Sequence, residues 1–252
     1  MKKTLCIILA ALVLLCLASC STRKGPLEIG GNDDGEEAYD YTHEVGDATF
    51  EFEITEYNTI RIIGYVGSYD IHTVQIPSSI DDIVVAEIGP KAFYYANNIS
   101  AITIPETVHT IGDWAFAGCT YLETVNIPAS VTAIGKGAFD SCVAIKSITL
   151  SEALVAIEDF TFHGCTALTT LDVPATVTAI GESAFWNCTE LATVTGMEGV
   201  KTIGGYAFRD CAKLTAVAIG EAIETIGDYA FYGCEAFDLA ANMPAPVPRQ
   251  AD

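Results

Sequence analysis

The chain has 252 residues, 50% of them apolar and 18% charged, a balance that suits a folded domain and not a disordered or collagen-like chain. Its 33 acidic side chains against 12 basic ones give a net charge of −21, a field that repels phosphate backbones and excludes nucleic acid as the partner. Nine cysteines and 21 glycines fall at intervals too regular for an ordinary globule.

At the N-terminus, Lys2 and Lys3 precede a thirteen-residue apolar run over residues 5–17. That is the length of a signal-peptide core and too short to span a bilayer, which takes about 20 residues. The next residues, Leu17-Ala18-Ser19-Cys20, resemble the lipobox of bacterial lipoproteins. The resemblance implies that residues 1–19 are a signal peptide and that Cys20 is lipidated, with more than one acyl chain because a single chain binds membranes only marginally. An ordinary secretory signal cleaved after Ala18 or Ser19 is the alternative. Ser21 in place of an acid after the cysteine implies, by the same resemblance, the outer membrane, with the leaflet left open. Residues 20–47 carry eight acids in residues 21–47 against Arg23 and Lys24, with five glycines and no apolar periodicity. Such a segment cannot bury enough apolar surface to offset its ordering entropy and reads as a flexible tether. Its acid run over residues 32–37 lacks the ligand spacing of a calcium loop, so no metal is expected.

Residues 48–70 come next. Phe50, Phe52 and Ile54 alternate with polar residues, Asn58 marks a turn, and a second apolar run follows, which predicts a β-hairpin capping whatever lies beyond. From residue 71 to about residue 241 the chain repeats every 23 residues. Phenylalanine recurs at Phe93, Phe116, Phe139, Phe162, Phe185, Phe208 and Phe231. Three residues after each stands Ala96 in the first unit and then Cys119, Cys142, Cys165, Cys188, Cys211 and Cys234. An Ile-Gly pair marks six of the units, Ile157-Glu158 being the departure. Within a unit, Leu122-x-x-Val125-x-Ile127-Pro128 alternates like a strand and ends at a proline that cannot donate to a ladder. Val131, Ile134, Ala138 and Cys142 are then three to four residues apart and share a helical face, so each unit reads as a short strand plus a short helical or 3-10 turn. One such unit cannot bury its own apolar face, so neighbours must stack. Eight strands at ~4.8 Å would give a sheet roughly 35 Å across. Residues 242–252 form a proline-rich tail.

These residues resemble the BspA-type leucine-rich-repeat surface proteins, whose consensus is close to the unit at residues 127–149. The resemblance implies an α/β repeat fold, a right-handed solenoid with a parallel sheet on one side and short turns on the other. It also implies a bacterial cell-surface lipoprotein with roles in adhesion.

The sequence offers little for catalysis. His43 falls in the tether and His72, His109 and His163 at different coil positions, and no catalytic residue, metal or cofactor is expected, although a two-carboxylate hydrolase is a remote reading on so acidic a chain. The six repeat cysteines occupy one column; reduced core thiols, bridges between coils and a metal site are the three readings, with core thiols favoured. Two surfaces are candidates for binding. The first is the outward, concave face of the strands, comprising Thr73, Gln75, Thr103, Thr124, Asn126, Ser147, Thr149, Thr170, Asp172, Thr193 and Thr195. The second is an aromatic patch on the turns comprising Trp114, Phe160, Trp186, Tyr206 and Tyr229, interrupted at Gly137 and Ser183; packing of these rings across neighbouring coils is the favoured alternative to an interface. The functional expectation is a monomeric envelope-anchored binding protein, an adhesin for protein partners. A glycan-capturing lipoprotein and a passive structural component are the alternatives.

Overall fold

The computed structural model describes residues 41–70 and 72–238. The expected signal peptide, Cys20, the first part of the expected tether and the proline-rich tail lie outside the described residues. Strand β1, Tyr41–Val45, runs antiparallel to β2, Ala48–Ile54, which runs antiparallel to β3, Ile60–Val66. The flexible segment expected through residue 47 is contradicted from Tyr41 onward, where the chain is paired strand. Tyr41 stacks on Phe52 with ring centroids 5.5 Å apart, and Gly46, at φ 62°, opens the two-residue turn that registers Val45 against Ala48. The turn at residue 58 is as the sequence predicts: Asn58 sits at φ 57° and donates its amide to the Thr55 carbonyl at 3.0 Å.

The coils beyond stack on three ladders, in a 23-residue register once the extra residues of the first coil are passed. The first, the threonine ladder, contains the parallel strands His72–Gln75, Ile99–Thr103 and Thr124–Asn126, then Thr170–Asp172, Thr193–Thr195 and Ala216–Val217. The second, the glycine ladder, contains Ile83–Ile88, Thr110–Ile111 and Ala133–Ile134, then Ala156–Ile157, Ala179–Ile180, Thr202–Ile203 and Thr225–Ile226. β3 joins the second ladder in parallel beside Ile83–Ile88, so the N-terminal strands stand at that end of the stack. The extra residues of the first coil fold into a tight hairpin of Ser79–Ile80 on Ile83–Ile88. Asp81 and Asp82 both take positive φ there, as a two-residue hairpin turn demands.

The third ladder departs from the sequence reading. The segment after each Ile-Gly pair is a chain of consecutive turns and not a helix; among the described residues, Met197–Gly199 is the one short 3-10 helix. In one coil the amides of Ala115, Ala117 and Cys119 donate back to Gly112, Trp114 and Phe116, closing three successive turns. The intervening amides of Trp114, Phe116 and Gly118 instead donate to Lys136, Ala138 and Asp140 of the next coil at 2.8 Å each. Positive φ at Trp114 and Gly118 points alternate N–H groups along the stack, which a helix cannot do because its amides all point along its own axis. The three-to-four spacing of Val131, Ile134, Ala138 and Cys142 thus reports the period at which a triangular coil returns to its core. A single continuous eight-strand sheet is also not formed, since both strand ladders are interrupted around residues 145–150.

The core is a column of rings. Phe93, Phe116, Phe139, Phe162, Phe185 and Phe208 are at most 1% exposed, and their centroids step by 4.9 to 5.6 Å. Phe50 and Tyr65 of the N-terminal strands pack against Phe93 at one end, and Phe237 stacks on Phe231 at the other.

Candidate binding surfaces

The threonine ladder displays the residues the alternation predicts. Thr73, Gln75, Thr103, Thr124, Asn126, Thr170, Asp172 and Thr195 are exposed around the buried Val74, Ile102, Val125, Leu171 and Val194, while Thr193 is half-buried. Ser147 and Thr149 are exposed too, but their coil has no strand, so the face is divided in two. Within it, Thr195 Oγ1 donates to Asp172 Oδ1 at 2.7 Å. A groove of about 510 Å³ lies elsewhere, over the glycine ladder, and Ala156, Gly181, Gly204, Glu158, Asp159 and Glu182 are among the residues that line it. None of the threonine-face candidates lines it. Desolvation pushes the Asp159 carboxyl up, but hydrogen bonds from Lys136 Nζ and the Glu182 amide outweigh it and hold that carboxyl below its usual range.

The turn ladder carries the more organised surface. Trp114, Phe160, Tyr206 and Tyr229, two residues before the core phenylalanine, all sit at φ 56–58°, a region that costs bulky residues on the order of 1–3 kcal/mol. The backbone there turns their side chains outward and along the stack. Gly137 and Ser183 do not break the patch as the sequence suggests. A Cβ on Gly137 would lie 2.5 Å from Trp114 Cε3, so the indole lies flat over that glycine and reaches Phe160, 6.4 Å away. Around Ser183 the path detours through the column just after the core phenylalanine. Phe160 meets His163 edge-on at 6.1 Å, His163 meets Trp186 at 5.3 Å, and Trp186 meets Tyr206 at 6.2 Å. Tyr206 then stacks on Tyr229 at 5.5 Å, and Tyr229 meets Tyr232.

Sequence reasoning missed the part played in this band by Arg209, Asp140 and Asp210. The Arg209 guanidinium lies 4.9, 5.5 and 5.3 Å from the rings of Trp186, Tyr206 and Tyr232. Asp210 Oδ2 accepts from Trp186 Nε1 at 3.0 Å and from Arg209 Nε at 3.2 Å. Asp140 pairs with His163 Nδ1. The signal was available in the register, because residues 140, 163, 186, 209 and 232 are all 23 apart and must touch in sequence order.

The cysteine column is buried and free. Each of the six Sγ atoms donates to the carbonyl of the core phenylalanine one coil back, from Cys119 to Phe93 through Cys234 to Phe208, at 3.0–3.2 Å. A small, weakly polar donor is what this position needs. The first coil, with no repeat turn before it, has Ala96 instead. Burial pushes the Cys119 thiol up to about 12 and those of Cys142, Cys165 and Cys188 well above their usual value, which makes these thiols poor nucleophiles. Among the described residues, no three His, Cys, Asp or Glu side chains gather closely enough to hold a metal ion. His72 is taken up by the Tyr65 hydroxyl and the Asp70 carbonyl.

Known proteins share this architecture. No curated protein sequence matches the chain. A leucine-rich-repeat protein of T. pallidum is 32% identical, covers 76% of this chain and 89% of its own, and superposes with a TM-score of 0.70. A leucine-rich cell surface protein of Faecalibacterium prausnitzii A2-165 is 29% identical over 78% of this chain and 53% of its own, with a TM-score of 0.67. The profile of the BspA type leucine-rich-repeat region matches residues 86–215 and 197–242 in six copies. The chain belongs to the BspA-type leucine-rich-repeat family.

Proposed function

We propose that this protein is a cell-surface adhesin that works by binding other proteins through its turn face, without catalysis. The observation that carries the reading is the band running from Trp114 to Tyr232. Half-exposed aromatic rings and an arginine set over three of them are the side chains that dominate protein interfaces. Because the rings brace one another along the stack, a partner would not have to order them, which lowers the entropic cost of association. The repeat family supports a surface interaction module, and the F. prausnitzii neighbour is described as a cell surface protein. Lipidation at Cys20 after removal of residues 1–19, outer-membrane anchoring, residues 20–40 as a spacer and a monomeric state complete the reading. In it the three N-terminal strands cap the stack, their Phe50 covering the first core ring.

Purified protein assayed against extracellular-matrix proteins and a glycan array tests this. Saturable binding to a matrix protein, weakened at least about tenfold by Trp186→Ala in a protein that still folds, supports it; tenfold is about 1.4 kcal/mol, above the roughly 1 kcal/mol that most interface residues do not reach. Binding to sugars alone would replace it with glycan capture. Binding to neither, with loss of envelope integrity on deletion, would leave a structural role.

A further inference from the structure

Three departures from the repeat fall in one coil. Leu150-Ser151 stands where Ile127-Pro128 and Val173-Pro174 stand in its neighbours, Ile157-Glu158 replaces Ile-Gly, and Thr161 replaces Ala. Both strand ladders stop at this coil, ending at Thr124–Asn126 and Ala133–Ile134 and resuming at Ala156–Ile157 and Thr170–Asp172. Before the gap, the amides of Glu123, Thr132 and Gly135 donate to Ser100, His109 and Ile111 at 2.8–2.9 Å. After it, those of Thr169, Thr178 and Gly181 donate to Lys146, Val155 and Ile157 at 2.7–3.1 Å. Among the described residues, none of the three corresponding bonds crosses the gap, from the amides of Lys146, Val155 and Glu158 to Glu123, Thr132 and Ile134. The turn ladder runs straight through, with Gly137, Phe139 and Ser141 donating to Asp159, Thr161 and His163 at 2.7–2.9 Å.

Glu158 supplies a physical cause. At the equivalent glycines, Gly112, Gly135, Gly181, Gly204 and Gly227, a Cβ would lie 2.4–2.6 Å from a main-chain nitrogen of the preceding coil. Glu158 carries that Cβ, so its coil must stand off from the one before it. The step from Phe139 to Phe162, 5.6 Å, is the widest between consecutive core phenylalanines from Phe93 to Phe231. What bridges the gap on the strand side is side chains: the Ser151 hydroxyl on the Ala129 carbonyl and the ion pairs Lys136–Asp159 and Lys146–Glu123.

We infer that Glu158 is a wedge that divides the solenoid into two blocks, residues 72–141 and 145–238, hinged on the turn ladder so that the strand faces open and close at the seam. The hinge axis lies under the aromatic band, which crosses the seam through Trp114–Phe160 and Asp140–His163. The turn face therefore stays continuous while the curvature of the strand faces changes. The groove over the glycine ladder lies wholly in the second block and begins at the seam.

Residue-resolved hydrogen exchange on the full chain tests this, read as protection factors within one protein. The amides of Lys146, Val155 and Glu158 are expected to be at least about tenfold less protected than those of Thr169, Thr178 and Gly181, with Gly137, Phe139 and Ser141 fully protected. Glu158→Gly should bring Val155 and position 158 up to the protection of Thr178 and Gly181, and Gly181→Glu should lower protection at Thr178 and position 181. Equal protection across the seam in the unaltered protein, or no change at Val155 in Glu158→Gly, would overturn the hinge.

Discussion

Replacing Phe162 by alanine perturbs the middle of the ring column. The side chain is fully buried, with Phe139 and Phe185 centred 5.6 and 5.4 Å on either side. Removing a buried phenylalanine ring costs about 3–5 kcal/mol, the spread reflecting how far the site collapses. Collapse is restricted here. Phe139 and Phe162 are pinned by main-chain bonds to Thr161 and Ala184, so neither coil slides inward without breaking its ladder. The expected loss is about 4–5 kcal/mol, in the upper part of that range. Urea unfolding followed by far-ultraviolet circular dichroism reads it. Because each coil contacts only its neighbours, weakening one should also broaden or split the transition. Tyr121→Ala, at a residue 53% exposed, is the control and should stay within about 0.5 kcal/mol. A loss below about 1 kcal/mol for Phe162→Ala would refute the idea that the phenylalanine column is the core.

Three further outcomes follow from the same geometry. The neighbouring Cys211 side chain holds the thiol of Cys234, at the less enclosed end of the column, below its usual value, so brief alkylation of the native protein should label Cys234 before Cys119, Cys142, Cys165, Cys188 and Cys211, as read by peptide mass mapping; even labelling would contradict the buried column. Gly181→Ala drives a Cβ to within 2.4 Å of the Asp159 nitrogen, whereas Gly205→Ala meets nothing closer than 3.4 Å; the first should destabilise by about 1–3 kcal/mol and the second by under about 1 in thermal melts, and similar losses would count against the close stacking. The folded-state pKa of Asp159 is depressed, so its stabilising contribution is present above the ordinary carboxylate value and is lost as pH falls through the lower folded value. The difference in urea midpoint between the unaltered protein and Asp159→Asn should thus be constant from pH 7 to 5 and shrink below about pH 4; a difference unchanged at pH 3 would show that the Lys136 pairing adds nothing.

The repeat was legible in the sequence because a side chain every 23 residues meets its own counterpart, and the phenylalanine and cysteine columns follow from that arithmetic. The path of the chain between those columns was less legible. Val131, Ile134 and Ala138 point inward at intervals that a helix and a coil turning three corners produce alike, and the left-handed residues Trp114 and Ser141 that select the second have no distinctive composition. The β1 strand was hidden because its alternation spans only Tyr41–Val45, inside an acidic stretch. Among the candidate sites, the outward threonines were readable from strand alternation, whereas the continuity of the aromatic band was not. It depends on an indole lying across Gly137 and on Arg209 folding back over three rings, contacts set by side-chain direction. The departure Ile157-Glu158 was visible, but its meaning required knowing that the neighbouring backbone passes over that glycine position.

Binding on the turn face is measured most directly by a comparison of two variants. Trp186→Ala with Tyr206→Ala strips the centre of the aromatic band, and Thr170→Ala with Thr193→Ala strips the centre of the threonine face. Calorimetric titration of each against a matrix protein bound by the unaltered chain should show affinity lost in the first and kept in the second. Affinity kept in the first and lost in the second would contradict the account and move the interface to the strands.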